Sequence, residues 1–77
     1  MNLKPGTYKH YKGKYYEVIG VAKHSETLEE YVTYYCLYPN RNGQLWVRPI
    51  SIFLENVIVD GKSIKRFERV THPEGNQ

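Results

Sequence analysis

Hydrophobic and polar positions alternate along much of this chain, and turn residues interrupt the alternation at short intervals. Pro5-Gly6 punctuates the start. Thr7 to Tyr11 then alternates, with Tyr8 and His10 on one face and Lys9 and Tyr11 on the other. Lys12-Gly13-Lys14 reads as a tight turn. Tyr15 to Lys23, YYEVIGVAK, predicts a long strand. Its centre, Val18 to Ala22, is apolar on both faces, which predicts a curled sheet covered on both sides. Gly20 within that run predicts a bend or bulge, a device by which small barrels close.

His24 to Glu30, HSETLEE, is polar except for Leu28. It reads as one helical turn, with Ser25 capping and Leu28 inward, or as a plain loop. Tyr31 to Tyr38 predicts a strand rich in aromatic and β-branched residues. Pro39 to Gly43 is a hairpin loop with Asn42-Gly43 as the turn signal, and Leu45 to Arg48 is the returning strand, ended by Pro49. Ile50, Phe53 and Leu54 stand at i, i+3 and i+4 after a proline, which predicts one helical turn plugging the core. Val57 to Val59 predicts another strand turned by Asp60-Gly61, with Ile64 and Phe67 in a final extended segment. The sequence THPEGNQ predicts a frayed tail over 71–77 beyond a single domain at 1–70.

Short strands, frequent turns and little helix argue for an all-β fold. At 77 residues the economical form is a small SH3-like barrel of five or six short antiparallel strands with one short helical turn. So short a chain buries only about 60% of its unfolded surface. The eight tyrosines, two phenylalanines and single tryptophan offset this, because each aromatic ring buries on the order of 150–250 Å². The same rings suit a thin barrel wall and a binding face alike.

Eleven basic and eight acidic residues give a net charge of +3, which permits anion binding without demanding it. Cys36 stands alone in an apolar run and reads as a small buried hydrophobe, so no internal disulfide is expected. No apolar signal core or membrane-length run is present, and the expected location is cytoplasmic.

Three segments carry a resemblance: YKHYKGKYYEVIGVAKHSETLEE, LWVRP with the following ISIFLENV, and VDGKSIKRF. Together they resemble a family of small bacterial proteins known only as a domain of unknown function, over about Pro5 to Phe67. The resemblance implies an SH3-like β-barrel, often a stand-alone protein, and no particular activity. The chain departs from the family pattern in a slightly longer PNRNGQ loop and in Ser63-Ile64-Lys65, where a proline is expected.

The candidate chemistry is sparse. His24, Ser25 and Glu26 supply triad residue types, but consecutive residues do not normally converge as a triad, and a structured turn is the plainer reading. His10 and His24 lack the spacing of a zinc signature, and His72 lies in the tail. Trp46 and Arg48 share one strand face, and Leu45 and Val47 the other. If Leu45 and Val47 face the core, Trp46 and Arg48 point outward as an interaction hot spot. Otherwise Trp46 covers a barrel end and Arg48 pairs with Glu26, Glu29 or Glu55. Lys9, Lys12 and Lys14 interleave with Tyr8, Tyr11, Tyr15 and Tyr16, as in single-strand binders or as in a solubilised edge hairpin.

No catalytic, cofactor or metal set emerges, so no enzyme is expected. The leading expectation is a non-catalytic binding module for a peptide or protein partner, using Tyr8, His10, Tyr11, His24, Glu26, Trp46 and Arg48. Two alternatives stay open: nucleic-acid binding through the Lys9–Tyr16 hairpin, and a small-molecule or weak enzymatic site around His10, His24 and Glu26.

Overall fold

Turn residues cut the chain into seven strands and one helical turn among residues 3–71, which a computed structural model describes. The strands are β1 (Gly6–His10), β2 (Tyr15–Lys23), β3 (Glu30–Cys36), β4 (Leu45–Pro49), β5 (Asn56–Val59), β6 (Lys62–Lys65) and β7 (Phe67–Arg69). The helical turn, α1, spans Ile50–Phe53. Five strands form an antiparallel sheet in the order β4-β3-β2-β1-β7, and β5 and β6 pair as a separate hairpin. The fold is all-β, small and barrel-like. No helix among the described residues is long and apolar enough to cross a membrane.

The extended segment expected at Ile64 and Phe67 is divided. Ile64 pairs with Val57 in the hairpin, whereas Phe67 pairs with His10 on β1. Arg66 is the joint: its N–H donates to the Glu55 carbonyl at 3.1 Å, and its carbonyl accepts from Tyr11 N–H at 2.9 Å. The Asp60-Gly61 turn has both residues at positive φ (51° and 76°), as a two-residue hairpin turn requires.

Residues directly opposite in an antiparallel pair share a face. The register therefore places Tyr8, Tyr16 and Cys36 side by side, and likewise Val18, Tyr34 and Trp46. This inner face and α1 make the core: Tyr8, Val18, Val32, Tyr34, Phe53 and Phe67 are buried together, with Leu3, Tyr16 and Ile50 packed against them. Phe53 does what its spacing predicts, stacking on Phe67 with centroids 4.1 Å apart. Fully burying such a ring contributes about 1.5–3 kcal/mol. Leu54, expected in the plug, is exposed.

The centre of β2 is not covered on both faces. The pairing register slips between Val18 and Gly20, so Ile19 is the extra residue of a bulge and is 53% exposed. The bulge stands where the glycine predicted it. Gly20 itself lies outside the positive-φ region and has open space where a Cβ would sit. The predicted tail falls outside the described residues from position 72 onward, His72 included.

Candidate functional site

The core does not fill the whole inner face of the sheet, and an open hollow left on it forms the candidate site. A solvent-open cavity of about 170 Å³ is lined by Tyr16, Tyr34, Cys36, Tyr38, Asn40, Trp46 and Arg48. Strands β2, β3 and β4 supply the lining through one register, and the loop after β3 supplies Tyr38 and Asn40.

The rings are held edge to face. Tyr16 packs against Tyr34 and Tyr38, with centroids 5.5 Å apart in each case. The Tyr16 and Tyr38 hydroxyls are 2.8 Å apart and share a hydrogen bond. That bond, with burial, pushes the Tyr38 phenol well above its ordinary range. The Trp46 indole N–H donates to the Gly43 carbonyl at 2.9 Å, which fixes the ring against the hairpin loop. The Asn40 amide reaches Cys36 Sγ at 3.6 Å, and Cys36 is buried as expected.

Arg48 lies over the Phe67 ring, 5.6 Å from its centroid. His10 meets the same ring edge-on at 4.9 Å. Burial, then the positive charges of Arg48, Arg66 and Lys12, hold the His10 imidazole below its usual range. Lys12 N–H donates to His10 Nδ1 at 3.1 Å, so Nδ1 is unprotonated and a neutral ring carries its proton on Nε2. Of the two arginines near His10, Arg66 is paired with Glu55 at 3.3 Å. Among the described residues no hydrogen bond or ion pair engages the Arg48 guanidinium, so the expected pairing with Glu26, Glu29 or Glu55 is not formed.

Trp46 and Arg48 are brought together, but on the inner face. Leu45 and Val47 are 65% and 59% exposed and face away from the core. The reason is the register: Trp46 opposes buried Tyr34, and Arg48 opposes buried Val32. Trp46 remains partly open, at 36%.

The other sequence-predicted residues divide. Tyr8 is core rather than surface, its hydroxyl donating to the Lys4 carbonyl at 2.7 Å. Tyr11 sits beside His10 with ring centroids 4.6 Å apart, at the strand end. His24 and Glu26 lie beyond the far end of β2 from the turn that holds His10. Nine strand residues at about 3.3 Å each intervene. His10, His24 and Glu26 therefore do not form one site.

The His24–Glu29 segment is a turn, not a helix. His24 Nδ1 accepts the backbone N–H of Glu26 at 3.1 Å and of Thr27 at 3.3 Å. Ser25 donates to the Glu26 carboxylate at 2.9 Å, not to His24. Leu28, expected inward, has φ 63° and is exposed, because the turn closes through Leu28 N–H to the His24 carbonyl.

In the Lys9–Tyr16 hairpin, lysines cap rings. Lys9 lies over Tyr15 and Lys12 over Tyr11, each at 5.8 Å, while Lys14 reaches Tyr38 at 4.5 Å. Tyr16, Tyr34, Tyr38 and Asn40 were not singled out together from the sequence. The signal for the first two was strand parity, which needs the register; for Tyr38 and Asn40 there was none.

A model for a protein of unknown function (DUF1653) matches residues 6–69. A crystal structure of a DUF1653 protein from Bordetella bronchiseptica is similar at 35% identity and a TM-score of 0.84. The match covers 94% of this chain and 95% of that one. No curated protein matches. A family match over nearly the whole sheet, joined to a close structural likeness at that identity, leaves one conclusion: this chain belongs to the DUF1653 family.

Proposed function

We propose that this protein is a non-catalytic binding module that engages a peptide or protein partner in the aromatic cavity of its SH3-like sheet. The observation that carries the reading is the cavity itself. Four rings, Tyr16, Tyr34, Tyr38 and Trp46, line an open hollow beside Arg48, whose guanidinium has no hydrogen bond or ion pair among the described residues. Aromatic residues and arginine are the residues that anchor interfaces. At about 170 Å³ the hollow lies below the roughly 300–1,000 Å³ of drug-sized ligand pockets. It suits one or two side chains of an extended segment.

The nucleic-acid alternative has less support. It needs free ring faces for bases to stack on, and the lysines of the hairpin lie over Tyr11, Tyr15 and Tyr38. The enzymatic alternative loses its basis with the separation of His10 from His24 and Glu26.

The test is capture of partners by immobilised protein and their identification by mass spectrometry. The comparison is with a folded Trp46→Ala, Arg48→Ala double variant. Partners retained unchanged by that variant would exclude this surface.

A further inference from the structure

Among the described residues Arg48 is a half-buried cation that meets the Phe67 ring but no counter-charge. Removing a charge from water is costly unless it is paired. Arg66, the other arginine near His10, pairs with Glu55 at 3.3 Å. Around Arg48 the cavity lining contains three tyrosines, a tryptophan, a cysteine and an asparagine, and no carboxylate. The cavity also holds a spare donor. In the Tyr16–Tyr38 pair, with Tyr38 donating, the Tyr16 hydroxyl keeps its own proton for a further bond, whereas Tyr38 is also engaged with Cys36. Lys14, lying over Tyr38, adds a second positive charge at the rim. The site therefore presents N–H and O–H donors, two cations and no negative charge.

We infer that this cavity takes a carboxylate from an acidic segment of a partner protein, with Arg48 as its two-pronged anchor and the free tyrosine hydroxyl as second donor. The inference rests on the peptide-binding reading above and adds the chemistry of the partner. A planar guanidinium matches a planar carboxylate through two parallel hydrogen bonds. His10, held below its usual range first by burial and then by the positive charges of Arg48, Arg66 and Lys12, fits the same picture, since those charges would also draw in an anion. A polyanionic strand is the poorer match, because nucleic-acid affinity comes from many phosphate contacts and this lining offers one guanidinium.

The experiment is an NMR titration of the intact protein, following the Arg48 Nε–H and the Trp46 indole N–H. The probes are doubly capped glutamate, doubly capped glutamine, N-acetylglycine with its free carboxylate, inorganic phosphate and an oligothymidine. Capped glutamate or N-acetylglycine is expected to shift both signals at concentrations at least about tenfold lower than capped glutamine. Whichever of those two binds tighter identifies a side-chain or a C-terminal source. Arg48→Gln is expected to abolish that difference. If Arg48→Gln does not fold, Arg48→Lys keeps the charge and loses the fork, and its carboxylate affinity is expected to drop. An unchanged titration in a folded Arg48 variant overturns the inference. Equal binding of capped glutamine overturns it and leaves the peptide-binding reading standing. Tighter binding of phosphate or oligothymidine than of either carboxylate overturns it in favour of a phosphate ligand. No shift in any groove signal with any probe overturns both.

Discussion

The Arg48 guanidinium lies 5.6 Å from the centroid of the Phe67 ring, although the two residues belong to opposite edges of the five-stranded sheet. β4 and β7 exchange no ladder hydrogen bonds. The sheet curls until its edges meet through a cation and a ring, and Phe53 from α1 stacks on that ring. One residue of the candidate site is thus also a clasp of the fold.

The clasp has a measurable strength. A cation over a partly desolvated ring contributes about 0.5–2 kcal/mol, so Arg48→Ala is expected to lower stability by that amount in urea unfolding. Phe67→Ala removes the ring and its stack, and is expected to cost about 3–5 kcal/mol. An Arg48→Ala midpoint equal to that of the parent would show that the contact closes nothing.

Gly6 and Gly20 should respond oppositely to alanine. Gly6 has φ 131°, and a Cβ there would stand 3.2 Å from Arg69 Nη2. That guanidinium donates to the Pro5 carbonyl at 3.2 and 3.3 Å, so it is not free to retreat. Gly6→Ala is expected to cost about 1–3 kcal/mol. Gly20→Ala meets no atom within 4 Å and is expected to be neutral or stabilising by up to about 1 kcal/mol. Thermal unfolding of the two single variants decides the point.

The Tyr16 and Tyr38 hydroxyls should behave as one unit. Tyr16→Phe and Tyr38→Phe are each expected to cost about 0.5–1.5 kcal/mol, and the double variant little more than either single one. Tyr16→Phe should also bring the Tyr38 phenol back toward its ordinary titration, since its bond to Tyr16 is the first cause of the rise. Additive losses would show that the hydroxyls, 2.8 Å apart, are not coupled.

His10 sets a pH dependence of definite sign. Its folded-state pKa is lowered, so the unfolded chain binds the proton more readily. This contribution is intact above the unfolded value near 6.5. It is lost as pH falls through that value toward the lower folded one. The urea midpoint is therefore expected to fall between pH 7.5 and pH 5.5, and His10→Gln to flatten that slope. A slope unchanged in His10→Gln would assign the pH dependence to other groups.

Local signals located most of the elements. Asn42-Gly43 and Asp60-Gly61 fall in the two loops they marked, with Gly43 and Gly61 at positive φ. The spacing of Ile50 and Phe53 gave the helical plug, and aromatic and β-branched runs gave β2 and β3. These depend on residues close in sequence, whose backbone preferences are written in their own chemistry.

The site was legible only in part. Trp46 and Arg48 were recognised as a pair, but both faces of LWVRP carry apolar residues, so alternation within the strand could not choose the inner one. His10, His24 and Glu26 were grouped by residue type, and β2 places them near opposite ends.

By itself the sequence determined an all-β chain, its turns, its plug and the residue types available for recognition. The tertiary structure alone decided which face of β4 looks inward, that Ile19 bulges, that Tyr8 is core, and that Arg48 reaches Phe67. The physical reason is the two-residue period of the strand. A strand carries two candidate faces, and only its hydrogen-bond register with a neighbour distant in sequence selects one of them.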